Sequence, residues 1–326
     1  MTLPYVTVVG AGQVGATVAH LLVLKGLADV TLVDIVEGLA AGKALDLTQA
    51  AAIEDCPARV TGATDYAAMA GSRLVVVTAG LARKPGMSRD DLLAANAAIV
   101  GPIAESIARD APQAIVIVVT NPLDIMTALV LKRTRFPLQR VMGMAGVLDS
   151  GRLRALLAAH THADPSAIQA MVLGSHGDLM VPLSNSITVQ GKGAASLLTP
   201  ADLERLLTRT RDGGAEIVAL LKQSSAFYAP ASGVAQMARA ILRDEHRVLP
   251  ASVWLEGEYG LRDVCIGVPV ELAAQGVARI VEVPLTADER TALHRAAQQV
   301  RDGIAQLDSA KKPSPLPAAA QRQAGV

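Results

Sequence analysis

The sequence predicts an α/β chain: a doubly wound parallel sheet over residues 1–145, a mixed α+β unit over 146–308, and an unstructured tail over 309–326. Three observations carry this expectation. Continuous apolar runs of strand length alternate with longer Ala/Leu-rich amphipathic stretches up to about residue 145, and beyond it the order becomes mixed. The last stretch, KKPSPLPAAAQRQAGV, is rich in Pro, Ala and Gln and offers nothing to bury. Strands that are apolar on both faces must be covered by helices on both faces, which is the condition for a doubly wound parallel sheet.

Taken in order, YVTVVG reads as the first strand, with a helix from about residue 13, and VTLVD as the second strand, followed by another helix. RLVVVTAG is a third strand with a third helix after it, and AIVIVVT a further strand. In the second unit, helices are expected near 147–160, 200–222, 232–243 and 286–307, and strands near 168–173, 186–190 and 264–283.

Composition narrows the function classes. A chain of 326 residues is long enough for two domains, each with its own core. Its 30 basic residues balance its 30 acidic ones, so no general attraction to nucleic acid or to acidic membranes is expected, and any basic site must be local. The apolar runs are broken by Gly, Pro and charges, and none reads as a bilayer span. MTLPYVTVVG lacks the pattern of a secretory signal, which predicts a cytoplasmic protein. Cys56 and Cys265 lie far apart with no metal or redox spacing, and His160 and His162 are two apart, which is not a helical ligand spacing. No metal site is expected.

The first chemical motif is VVGAGQVGATVAH, where Gly10, Gly12 and Gly15 satisfy G-x-G-x-x-G between a predicted strand and a predicted helix. Glycines there permit a tight turn and bring backbone N–H groups and a helix N-terminus against a pyrophosphate. The spacing alone also fits an ordinary strand-to-helix turn. Asp34 ends the next strand about 20 residues on, where a carboxylate accepts hydrogen bonds from an adenosine ribose and repels a 2′-phosphate. With no Arg or Lys in the following IVEGLAAG, NAD is favoured over NADP. Asn121, in VTNPLD, stands where a strand of an open α/β sheet ends and ligands bind; its amide can serve a substrate oxygen or the nicotinamide ribose, or simply end the strand in an Asn-Pro turn.

The acid–base candidate is His176 in LGSHGD, between small residues on a predicted loop. A lone His is more often structural unless a carboxylate orients the ring. VLDSGRLR supplies one: Asp149 and Arg152 are three apart at the start of a predicted helix and can face one cleft, although Asp149 could equally be an N-cap.

Together these motifs resemble the NAD-dependent lactate/malate dehydrogenase family, and in particular the malate dehydrogenases of the lactate-dehydrogenase-like type. The resemblance runs from residue 3 to about 308 and includes TAGLARKPGMSRDDLLAAN, VMGMAGVLDSGRLR, FYAPASGVAQM and EYGLRDVCIGVPVEL. It implies a Rossmann domain followed by a substrate domain, NAD as cofactor, and a cytoplasmic homodimer or homotetramer. It implies that His176 exchanges the proton, Asp149 orients it, and Arg152 clamps the substrate's C1 carboxylate. Gln13, Val14, Asn96 and Val119 fall on the cofactor side. In GLARKPGMSR, Arg89 would polarise the reacting carbonyl oxygen and Arg83 would meet a distal carboxylate, as malate and oxaloacetate require. Lactate enzymes of the family usually carry Gln at the position of Arg83. Lys84 points to water on this reading, and Ser88 with Asp91 looks like a capping box. A lactate or other 2-hydroxy acid enzyme is the alternative, and a non-catalytic NAD sensor a further one. Ser175, Leu179 and LSNS at 183–186 depart from the family's usual residues beside the histidine.

Overall fold

The computed structural model describes residues 3–82, 87–222 and 224–309. The first half is built from β1 (Tyr5–Val9), α1 (Gln13–Leu24), β2 (Asp29–Val33), α2 (Leu39–Ile53), β3 (Val60–Ala63), β4 (Leu74–Val77), α3 (Arg89–Asp110), β5 (Ile115–Val118), α4 (Leu123–Thr134) and β6 (Val141–Gly143). Its six strands are parallel in the order β3-β2-β1-β4-β5-β6. That order reverses between β1 and β4, and the crevice outside the carboxyl ends of those two strands is where a doubly wound sheet takes a ligand.

The apolar runs explain the layering. On β4, Leu74 and Val76 join the core on the α1 side, while Val75 and Val77 join the core under α3 and α4; on β5, Ile115 and Ile117 divide from Val116 and Val118 in the same way. All eight are buried, so the strands need apolar residues at every position. α3 is one described helix long and apolar enough, by length and composition, to cross a bilayer, which corrects the expectation that no segment reads so. Ala and Gly disguise it in the sequence; in the fold Leu93, Val100, Ile103 and Ile107 bury one of its sides on the sheet.

The second half continues with α5 (Gly146–Thr161), β7 (Ile168–Gln169), β8 (Val172–Gly174), β9 (Met180–Pro182), β10 (Thr188–Val189), β11 (Lys192–Gly193), α6 (Pro200–Leu221), α7 (Tyr228–Leu242), β12 (Arg247–Glu256), β13 (Arg262–Ala273), β14 (Gly276–Ile280) and α8 (Ala287–Ser309). β12 pairs antiparallel with β6 at Ser252 and Gly143, so the sheet runs on through β12, β13, β8 and β9, with β14 beside β13; β7, β10 and β11 form a separate small sheet. The chain is thus a parallel Rossmann sheet followed by a mixed α/β unit.

Several boundaries differ from the sequence reading. The run at 168–173 divides into β7 and β8, the run at 186–190 narrows to β10, and 264–283 is a hairpin of β13 and β14 rather than one strand. α7 begins at Tyr228 because Pro230 falls in its first turn, where a proline costs no hydrogen bond, and α8 extends to Ser309. β12 carries no clear strand signal in the sequence because Pro250 interrupts it. Pro250 faces Pro269 across the ladder, so both missing N–H groups fall at one pair. The tail from residue 310 lies outside the described residues.

Candidate active site

The glycine turn forms as its sequence requires. Gly10 has φ +102°, and a Cβ on Gly15 would stand 1.9 Å from the Gly10 carbonyl oxygen, so neither position admits a side chain without moving the backbone. α1 has Gly12 as its N-cap, with no side-chain cap and no acidic residue in its first turn, leaving its N-terminal N–H groups for an external anion. Asp34, 8% exposed, accepts from the Ala11 N–H at 2.7 Å through Oδ2 and from the Val36 N–H at 3.0 Å through Oδ1. Thr78 Oγ1 donates to the Gly10 carbonyl at 2.9 Å.

Lys43 was not anticipated. Its Nζ donates to the Ala11 carbonyl at 2.6 Å, so amine and carboxylate hold the two polar groups of one residue in the turn. Burial lowers the Lys43 pKa and the Asp34 charge works against that. Lys43 directly follows IVEGLAAG, so a cation does stand near Asp34, engaged with the backbone.

Asn96 is fully buried. Its Oδ1 accepts from the Leu81 N–H at 2.7 Å, and its Nδ2 donates to the carbonyls of Leu81, at 3.1 Å, and Asn121, at 2.6 Å. It therefore ties the segment after β4 to the turn after β5. Val119 is half-buried and Asn121 exposed, and the Asn121–Pro122 peptide bond is cis. α4 begins directly after this turn, and its first-turn residue Asp124 holds the His176 loop, so the end of β5 and that loop meet.

His176, Asp149 and Arg152 come together as expected. His176 Nδ1 lies 2.9 Å from Asp149 Oδ2, and Asp149 Oδ1 lies 3.4 Å from Arg152 Nη1. Asp149 sits within α5, whose N-cap is Ala145, so the N-cap alternative falls away. The pair leaves Nε2 as the imidazole nitrogen not engaged by Asp149. Burial disfavours the charged ring, but the Asp149 charge and hydrogen bond outweigh it, helped by Asp124 against Arg152, and the His176 pKa is raised. Arg152 is mostly buried, its Nε lacks any hydrogen-bond partner, and α6 passes it at Gly213 and Gly214. A buried guanidinium with an unpaired donor is a receptor for an anion.

The Ser88–Asp91 capping box is present and sets Arg89 in the first turn of α3. Arg89 forms an ion pair with Asp178 on the His176 loop, both largely exposed, and Asp178 was not singled out in the sequence. Arg83 and Lys84 lie outside the described residues. Of the departures from the family's usual residues, Leu179 packs partly buried against the main core, and Ser186 Oγ donates to the Leu183 carbonyl at 2.8 Å. Among the described residues no three acidic, His or Cys side chains are grouped to hold a metal.

A glycine turn with an acidic strand end and a carboxylate-oriented histidine beside a buried arginine suit a nucleotide and a small carboxylate. Two family models match the chain: the lactate/malate dehydrogenase NAD-binding domain over residues 5–143, and the lactate/malate dehydrogenase alpha/beta C-terminal domain over 146–310. The chain belongs to the lactate/malate dehydrogenase family. Within that family it is 54% identical to a malate dehydrogenase of Synechocystis over 92% of each chain. Among solved structures it resembles the malate dehydrogenase of Cryptosporidium parvum, 39% identical with a TM-score of 0.93 over 95% of this chain and 100% of that one. It also resembles the lactate dehydrogenase of the same organism, solved with lactic acid and NAD, at 36% identity and a TM-score of 0.92 over 95% and 100% of the two chains. The family makes this chain an NAD-dependent oxidoreductase, and the open glycine turn with Asp34 fits that cofactor.

Proposed function

We propose that the protein is an NAD-dependent L-malate dehydrogenase, and that residues 1–145 bind the dinucleotide while residues 146–308 supply most of the substrate site. The observation that carries this reading is the His176–Asp149–Arg152 group, built on the buried Asp149, with its unpaired Arg152 Nε. When bound, NAD supplies the hydride acceptor. Arg152 clamps the C1 carboxylate of malate, and His176 Nε2 takes the proton of the C2 hydroxyl while Asp149 stabilises the imidazolium. In reduction, protonated His176 returns that proton to the oxaloacetate oxygen. Arg89 polarises the same oxygen on exchanging Asp178 for substrate, and Arg83 pairs with the distal carboxylate. Gln13, Val14, Gly10, Gly12, Gly15, Asp34 and Val119 line the cofactor side, with Asn121 between cofactor and substrate; Asn96 acts through the two backbone segments it holds.

The raised His176 pKa gives the reaction a sign. Oxaloacetate reduction needs the imidazolium and is expected to fall as pH rises through that pKa, while malate oxidation needs the neutral ring and is expected to rise through it. Profiles of kcat for the two directions check this, and a pair that move together would contradict it.

Arg83 is the residue that favours malate over lactate. On this proposal a methyl group in place of the distal carboxylate leaves the guanidinium without its anion, so Arg83→Gln is expected to lower the oxaloacetate-to-pyruvate ratio of kcat/KM by about 10²-fold. An unchanged ratio would remove Arg83 from the account. The same proposal makes the protein a cytoplasmic homodimer or homotetramer. The exposed Leu45 and Ile53 of α2, with Val218, Leu220 and Leu221 at the end of α6, support self-association.

A further inference from the structure

We propose that Lys43 is a positioning residue for the pyrophosphate of the dinucleotide: it fixes the turn that receives the pyrophosphate and sets a positive charge against Asp34. This deepens the reading of the Gly10–Gly15 turn as the pyrophosphate seat and rests on it. Lys43 stands half-buried in α2, 32 residues from Ala11, and its Nζ donates to the Ala11 carbonyl at 2.6 Å. That carbonyl belongs to the peptide joining Ala11 to Gly12, the N-cap of α1. Gly12 O accepts from the Ala16 N–H at 3.0 Å, so the Ala11 carbonyl lies just ahead of the helical ladder. A trans peptide points its C=O and N–H in opposite directions, and the bond to Lys43 therefore also aims the Gly12 N–H.

The turn needs such an anchor. Ala11 lies between two glycines, whose backbone rotates most freely, and a carbonyl that swung toward an arriving phosphate would repel it. Asp34 holds the Ala11 N–H and Lys43 the Ala11 carbonyl, so both peptide planes around this residue are fixed from outside the turn. A second contact sets the depth of α2. A Cβ on Gly62 of β3 would stand 2.4 Å from the carbonyl carbon and oxygen of Ala40, so glycine lets the helix lie this close to the sheet. Ala40 is one helical turn ahead of Lys43, and this packing fixes where the lysine stem begins. The charge also acts directly. A pyrophosphate approaching this turn meets the like charge of Asp34, and Asp34 in turn favours the ammonium form of Lys43 against the pull of burial. Lys43 thus offsets the carboxylate at the place where the cofactor's own negative charge arrives.

Binding to the full chain tests this without turnover, followed by NADH fluorescence and by displacement of NADH with ADP or with adenosine. Lys43→Met keeps an unbranched stem and removes both donor and charge. The dissociation constants of NADH and ADP are expected to rise about 10-fold, the scale of one lost hydrogen bond to a charged group. Adenosine brings the ribose without phosphate, and its constant is expected to stay within about twofold of wild type. Wild-type affinity for NADH in folded Lys43→Met, or equal losses for ADP and adenosine, would overturn the proposal. A loss confined to NADPH would overturn it too, since it would assign the amine to a 2′-phosphate. Should Lys43→Met fail to fold, Lys43→Gln, which keeps a polar side chain without the charge, carries the same comparison. A wild-type protein that binds neither NADH nor ADP would instead refute the reading of the glycine turn.

Discussion

His176→Asn is expected to lower kcat for oxaloacetate reduction by about 10²- to 10⁴-fold, the range lost when a positioned general acid is removed. The structure explains why Asp149 cannot take over. Asp149 is 2% exposed and faces the ring from the side away from Nε2, so its carboxylate is held behind the imidazole. Asparagine can still donate to Asp149 and leaves no buried carboxylate unpaired, so the fold should survive. NADH titration by fluorescence should show binding within about twofold of wild type, because the glycine turn and Asp34 belong to the other half of the chain. A His176→Asn variant with wild-type kcat would mean that the proton passes elsewhere.

Arg152→Met is the second large effect. It is expected to lower kcat/KM for oxaloacetate by about 10³-fold, mostly through KM, since a buried charged pair that loses one partner forfeits several kcal/mol. Methionine fills the stem's space beside Gly213 and Gly214 without offering a donor. The substitution also has a signature that mere misfolding lacks. The Arg152 charge opposes protonation of His176, so its removal should move the alkaline limb of the residual activity to higher pH. Unchanged KM in Arg152→Met would place the substrate carboxylate on another cation.

How far the sequence could be read depended on distance along the chain. The alternation of β1, α1, β2 and α2, the Gly10–Gly15 turn and the Ser88–Asp91 capping box are local, and each appears where its residues predict. His176 and Asp149 lie 27 residues apart and meet as the motifs implied. The contacts that fix the site's backbone are longer in range and carry no local mark. Ser252 reaches Asp124 across 128 residues, from a strand that its proline hid. Asp124 follows the Asn-Pro turn of its motif with nothing local to mark its partners. Lys43 stands just beyond IVEGLAAG, and only the folding of α2 against the turn brings its amine to Ala11. Asn96 reads as a ligand residue from its motif, whereas burial gives all of its amide's observed bonds to protein backbone.

The most direct test of the central claim is the initial rate of NADH oxidation by the wild-type protein with oxaloacetate and with pyruvate at equal concentrations. The account predicts a preference for oxaloacetate on the order of 10³-fold, because pyruvate would leave the Arg83 guanidinium unpaired. Equal or faster turnover of pyruvate, or binding of NADH with no turnover of either acid, would contradict it.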